Sequence, residues 1–216
     1  MIRADRDFVF AAVADERRRI ASLLDGLNQA QLATPSLCAG WDVKTVAAHI
    51  VSTVVDGTPA FLWRAVRRGS MARAIDELAR HRAQLPADEI VASLRRCADR
   101  PINPPLFGPL DPLADVLVHG GDIRIPLGLP FEPDPQLAAL AMDFLTGPWP
   151  LGFVPLRRLR GIRLHGSDIS RTWGTGAEVS GPVSALILAV SGRTALLHLL
   201  DGPGLPQLRR RLSIRQ

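Results

Sequence analysis

Helical spacing of apolar residues runs through most of the first 145 positions, and a two-residue alternation follows it. The stretch 5–26 brings Phe8, Ala11, Ala12, Ile20, Leu23 and Leu24 to one side, with Asp15, Glu16 and the arginines largely between them. Gly26 and Asn28 predict a break, a short turn over 29–32 and a loop over 34–40. Asp42 is placed to cap a helix whose stripe is Val43, Val46, Ala47, Ile50 and Val54. That run is rich in β-branched residues, so a strand competes; its length and the cap favour a helix. Further helices are predicted from Pro59 to about Gly69, over 70–84, and over 86–98 with Ile90, Val91 and Leu94 inward. Four prolines between residues 101 and 109 make a rigid loop. Asp111-Pro112 reads as the N-cap and first-turn proline of a helix ending before Pro126, and Asp134-Pro135 opens another through Leu145.

The pattern changes at Thr146–Gly152. A domain boundary is expected at residue 148, giving a helical bundle of the four-helix type over 1–148 and a small α+β domain over 149–216. The fold class is α+β, mainly α. In the second domain Ile162 and Leu164 mark a strand, Trp173–Gly181 a hairpin tip with a short strand, and 182–191 an apolar helix. Residues 194–200 form a further short element.

A 47% hydrophobic content supports a packed core. No apolar run approaches the roughly 20 residues that span a bilayer, and the first seven residues lack a signal-peptide core. A cytoplasmic protein without a membrane partner is expected. Cys38 and Cys97 follow no metal or redox spacing and are expected as buried free thiols. The net charge of +5 is carried by arginine, Lys44 being the sole lysine. The runs Arg17–Arg19 and Arg209–Arg211 are read as solvated helix faces. Without interleaved aromatics or a recognised motif they do not indicate nucleic acid. The positive balance favours a small anionic substrate.

Asp115 and His119 lie four residues apart, on one face if the segment is helical. With His49 from the earlier helix they make three ligands of the types a catalytic divalent-metal site uses, leaving a position open. Taken alone, the spacing favours a solvated aspartate and a hydrogen-bonded core histidine. Asp122 could orient His119, or cap the helix, or pair with Arg124. His81, His165 and His198 lack partners at ligand spacing. Cys38 precedes the His49 helix and could border a cleft or be an inert thiol. Neither a nucleophile-elbow motif nor a Walker phosphate loop is present.

Three stretches together resemble a known family. Ala39-Gly-Trp-Asp-Val-Lys-Thr-Val-Ala-Ala-His49 looks like the first metal-histidine helix of DinB-like bundles, and more closely that of the actinobacterial branch with mycothiol-dependent maleylpyruvate isomerase. Asp115-Val-Leu-Val-His-Gly-Gly-Asp-Ile-Arg-Ile-Pro-Leu-Gly128 is similar to that branch's second signature, and the stretch Asp168–Arg193 to its small C-terminal domain. The resemblance implies a divalent metal, zinc by expectation, on His49, Asp115 and His119. It implies mycothiol or a similar thiol as cofactor, and Arg193 as the arginine that the second domain supplies to the substrate's carboxylate. Arg193 could also serve as a helix C-cap. The isomerase has glutamate where this chain has Asp115. The function implied is a metal- and thiol-dependent isomerase or transferase acting on a small electrophilic acid. A non-catalytic metal- or small-molecule-binding protein is the alternative.

Overall fold

The computed structural model describes residues 5–56, 63, 66–103, 108–148, 150, 152–155 and 157–213. Most of the helix expected from Pro59, the centre of the four-proline loop, and parts of the stretches 146–152 and 214–216 lie outside them. The described residues form two compact units, 1–130 and 131–216.

The first unit holds α1 (Arg6–Asp25), α2 (Gln29–Leu32), α3 (Val43–Val55), α4 (Met71–Arg82), α5 (Ala87–Cys97) and α6 (Leu110–Arg124). Helices α1, α3, α5 and α6 form the bundle, α1 and α3 each packing on both α5 and α6, with α4 against α3. Asp42 caps α3 as expected, its carboxylate accepting from Thr45 N at 2.7 Å. The β-branched run is helical because it is buried almost all round: Val43, Val46, Ile50 and Val51 are each fully enclosed. Burying a side chain of that size contributes about 1.5–3 kcal/mol, which outweighs a weak local strand preference.

Helix α6 begins two residues earlier than the sequence suggests. Pro109 precedes it and makes no side-chain cap, so Asp111 is not the N-cap but a first-turn residue. Arg17 also departs from expectation. Its neighbours Arg18 and Arg19 are exposed, but Arg17 falls on the stripe with Val13, Ile20 and Leu24 and is 2% exposed. Its guanidinium donates to Ala98 O at 3.0 Å and Arg100 O at 2.9 Å, satisfying carbonyls at the end of α5. Cys97 is buried, as expected, but Cys38 is only half-buried.

The second unit holds α7 (Pro135–Leu145), β1 (Ile162–Gly166), β2 (Arg171–Gly174), β3 (Ala177–Gly181), α8 (Val183–Val190), a 3-10 turn (Leu197–Leu199) and α9 (Leu205–Ser213). The units thus divide one helix earlier than residue 148. Helix α7 packs on α8 and β2, and its Asp143 accepts from Trp173 Nε1 at 2.8 Å and Arg171 Nη2 at 2.7 Å. Strand order is β2-β1-β3, antiparallel then parallel. Trp173, Leu164 and Val179 stand side by side across it and are buried.

The hairpin is therefore β1–β2, and the turn at residues 175–176 is not a hairpin tip. It carries the chain from one side of β1 to the other, past Gly161. Gly176 has φ +128°, and a Cβ there would come within 2.2 Å of the Gly161 backbone; only glycine fits that passage. In α9 Arg209 and Arg210 are exposed as expected, and Arg211 donates to Arg158 O at 2.6 Å.

Candidate metal centre

His49 lies in the middle of α3 and is 5% exposed; His119 lies in α6 and is 6% exposed. Asp115, one turn before His119, presents Oδ1 at 3.4 Å from the Nε2 atoms of both histidines. One ligand atom from each of the three residues lies within 4.8 Å of the others. A separation of 3.4 Å is long for an N–H···O hydrogen bond. It matches the spacing of about 3.3–3.4 Å between neighbouring ligand atoms around tetrahedral zinc, given metal–ligand distances of about 2.0–2.1 Å. Two imidazole nitrogens and a carboxylate oxygen converging in this way fit a borderline divalent ion.

Asp122 is fully buried, and its Oδ2 lies 2.9 Å from His119 Nδ1. Because a carboxylate only accepts, Nδ1 carries the proton and Nε2 is turned to Asp115. This is the contact that an orienting carboxylate makes. His49 has no such partner: its Nδ1 is buried without a hydrogen bond.

The charges sustain each other. Burial works to raise the Asp115 carboxyl, but His119 and then His49 outweigh it and hold the group well below the usual carboxylate range. Burial works to lower the His119 imidazole, but Asp115 and then Asp122 outweigh it and raise it to about 9. Asp111, one turn before Asp115, is pushed up to about 7 by burial and by the Asp115 charge.

Sequence reasoning did not single out Trp41 as part of this site. Its indole is 8% exposed and lies 5.1 Å from the His49 ring and 6.3 Å from the His119 ring, centroid to centroid. The available signal was its position directly before the α3 cap. Among the described residues the other histidines belong to no group of this kind. His165 Nδ1 is 3.1 Å from Ser180 Oγ, His198 Nδ1 is 3.1 Å from Ala195 O, and His81 is exposed. Arg193 follows α8 in the second unit and donates from Nη1 to Ser191 O at 2.7 Å.

Residues 13–102 match the family model described as the mycothiol maleylpyruvate isomerase N-terminal domain. That part of the chain is similar to this domain. The matched segment includes Trp41 and His49 and ends before Asp115. Two solved structures are similar in fold: the crystal structure of the mycothiol-dependent maleylpyruvate isomerase, and that of a mutant of it with one histidine replaced by alanine. Each has a TM-score of 0.56 and 14% identity over 92% of this chain and 91% of the other. At that identity the likeness is one of fold, a mainly helical α+β chain. No curated protein matches the chain significantly in sequence. No helix among the described residues is long and apolar enough to cross a membrane.

Proposed function

We propose that the chain is a metal-dependent enzyme that uses a low-molecular-weight thiol, mycothiol or a close analogue, on a small electrophilic acid. The reaction is isomerisation or thiol transfer. The observation that carries this reading is the convergence of His49 Nε2, His119 Nε2 and Asp115 Oδ1 in a buried bundle core. The family match of the N-terminal residues supports the thiol.

His49, Asp115 and His119 would hold the ion, zinc by the chemistry of the donor set. A divalent ion there supplies positive charge that favours the thiolate form of a thiol at neutral pH. The protein's own part is to keep both Nε2 atoms directed at one point, to fix the His119 tautomer through Asp122, and to exclude bulk water by burial. Arg193 is proposed to bind the substrate's carboxylate, since a guanidinium pairs with a carboxylate through two hydrogen bonds. Aspartate is a methylene shorter than the glutamate of the resembled pattern. The 3.4 Å approach of Asp115 to both histidines supports its serving as the third ligand.

The second reading, a non-catalytic metal-binding protein, rests on that same shortened carboxylate. Two measurements separate the readings. Protein purified without an affinity tag is expected to carry close to one equivalent of metal by elemental analysis, and His49→Ala to lose it. Metal-loaded protein is then incubated with mycothiol and a panel of unsaturated and other electrophilic acids. Turnover lost in Arg193→Gln supports the enzyme. Stoichiometric metal without turnover across the panel favours the binding protein, and a wild type that takes up no metal sinks both.

A further inference from the structure

The two candidate histidine ligands are held differently. His119 is fixed by Asp122, but His49 Nδ1 is buried and makes no hydrogen bond. A ligating imidazole is normally oriented through its second nitrogen. Two rings pack on His49: His119, the other candidate ligand, edge-on at 4.8 Å and 75°, and Trp41, 5.1 Å away at an interplanar angle of 45°. Of the two, only Trp41 lies outside the ligand set and can set the plane of the His49 ring independently of the ion.

Trp41 is itself fixed from several directions. Its backbone N–H donates to Cys38 O at 3.0 Å, and its carbonyl accepts from Ser36 N and Ser36 Oγ, each at 2.9 Å. Its indole N–H donates to Asp76 Oδ1 on α4 at 2.7 Å. Arg80, one turn along α4, grips both oxygens of Asp76 at 2.8 and 3.0 Å. The same guanidinium donates to Gly40 O at 2.9 Å, on the residue before Trp41. Gly40 has φ +80°, the left-handed turn that puts this carbonyl within reach, and a Cβ there would sit 3.4 Å from Arg80 Nη2. Arg80 thus secures both the backbone leading to Trp41 and the acceptor of its indole.

We propose that Trp41 is the positioning residue for His49, setting the imidazole plane by ring packing, and that Asp76 and Arg80 on α4 hold the indole in place. This rests on the metal reading of the site for its consequence, and on the ring geometry alone for its mechanism. It assigns to an outer helix, through Asp76 and Arg80, a part in metal affinity, although neither residue belongs to the ligand set.

Asp76 is the useful handle, because its side chain is 45% exposed and it is not one of the candidate ligands. In protein with isotopically labelled histidine, metal-free Asp76→Ala is expected to shift the His49 ring resonances more than those of His119, whose ring lies farther from the indole. Asp76→Asn keeps an acceptor for the indole N–H and is expected to restore them. With metal, competition against a chelating indicator should show Asp76→Ala and Trp41→Leu binding zinc about tenfold or more weakly, and Asp76→Asn binding as wild type. The cobalt-substituted protein should change its d–d spectrum in parallel. Unchanged His49 resonances and unchanged zinc affinity in Asp76→Ala would overturn the positioning role while leaving the metal site standing. If wild type binds no zinc but the His49 shift appears, the metal reading fails and the ring packing stands. Equal shifts at His49 and His119 would indicate a general loosening and also overturn the proposal.

Discussion

On the metal reading proposed above, zinc and a proton would compete for the same nitrogen of His119. In the metal-free protein burial disfavours the imidazolium, but Asp115 and then Asp122 outweigh burial and place its titration at about 9. A metal ligand must be the neutral ring, so binding between pH 7 and 9 expels this proton. Asp115 contributes no proton in that range, because its carboxyl is already held well below the usual carboxylate range. One proton released per ion makes the apparent zinc affinity rise about tenfold, or about 1.4 kcal/mol, per pH unit. The rise should level off above about 9. The assay is competition with a chelating indicator that buffers free zinc at pH 7.0, 7.5, 8.0 and 8.5. Calorimetry at pH 7.5 in buffers of different ionisation enthalpy counts the proton directly. Folding stability of the metal-free protein should move the other way. A histidine raised from 6.5 to about 9 contributes stability that is full below pH 6.5 and is lost as pH rises through about 9. Opposite pH slopes for zinc affinity and metal-free stability are therefore the expected signature. A zinc affinity that is flat from pH 7 to 8.5 would refute His119 as a ligand in the state described.

Three further outcomes are expected. Arg17→Met removes the donors to Ala98 O and Arg100 O and should cost about 2 kcal/mol, read as a lower urea midpoint; a change under about 0.5 kcal/mol would show those carbonyls satisfied otherwise. Asp111 has its carboxyl pushed from 3.8 to about 7, so the folded state prefers it protonated and stability falls as pH rises through that window. Asp111→Asn should then stabilise the metal-free protein by roughly 1–2 kcal/mol at pH 8, after allowing for solvent screening, and by nothing at pH 4; equal effects at both would contradict the assignment. Gly176→Ala forces a Cβ against the Gly161 backbone and should cost roughly 3 kcal/mol or more, seen as early loss of Trp173 fluorescence while the first unit holds.

Much of the N-terminal bundle could be read from the chain because its signals are local. Asp42 caps the helix it precedes, and apolar residues recur on one face. The ligand trio was legible as residue types and spacing, but its convergence was not, since nothing in a sequence states that α3 and α6 face each other. An arginine triplet has the look of a solvated face, whereas helical phase puts Arg17 on the buried stripe. Helix α7 is as helical as the bundle, and only its partners, α8 and β2, show which unit it serves. Trp41 escaped because its importance lies in ring contacts that no spacing encodes.

The passage at Gly176 has a bearing on the order in which the second unit assembles. The β1–β2 hairpin is closed by a four-residue connection, Ser167–Ser170, and can form on its own within microseconds. Strand β3 can settle only once β1 exists to receive it on its free edge. Substitutions in the Ser167–Ser170 connection should therefore change the folding rate, and substitutions in β3 chiefly the unfolding rate. Those two glycines, Gly161 and Gly176, mark the point where a local hairpin becomes a sheet.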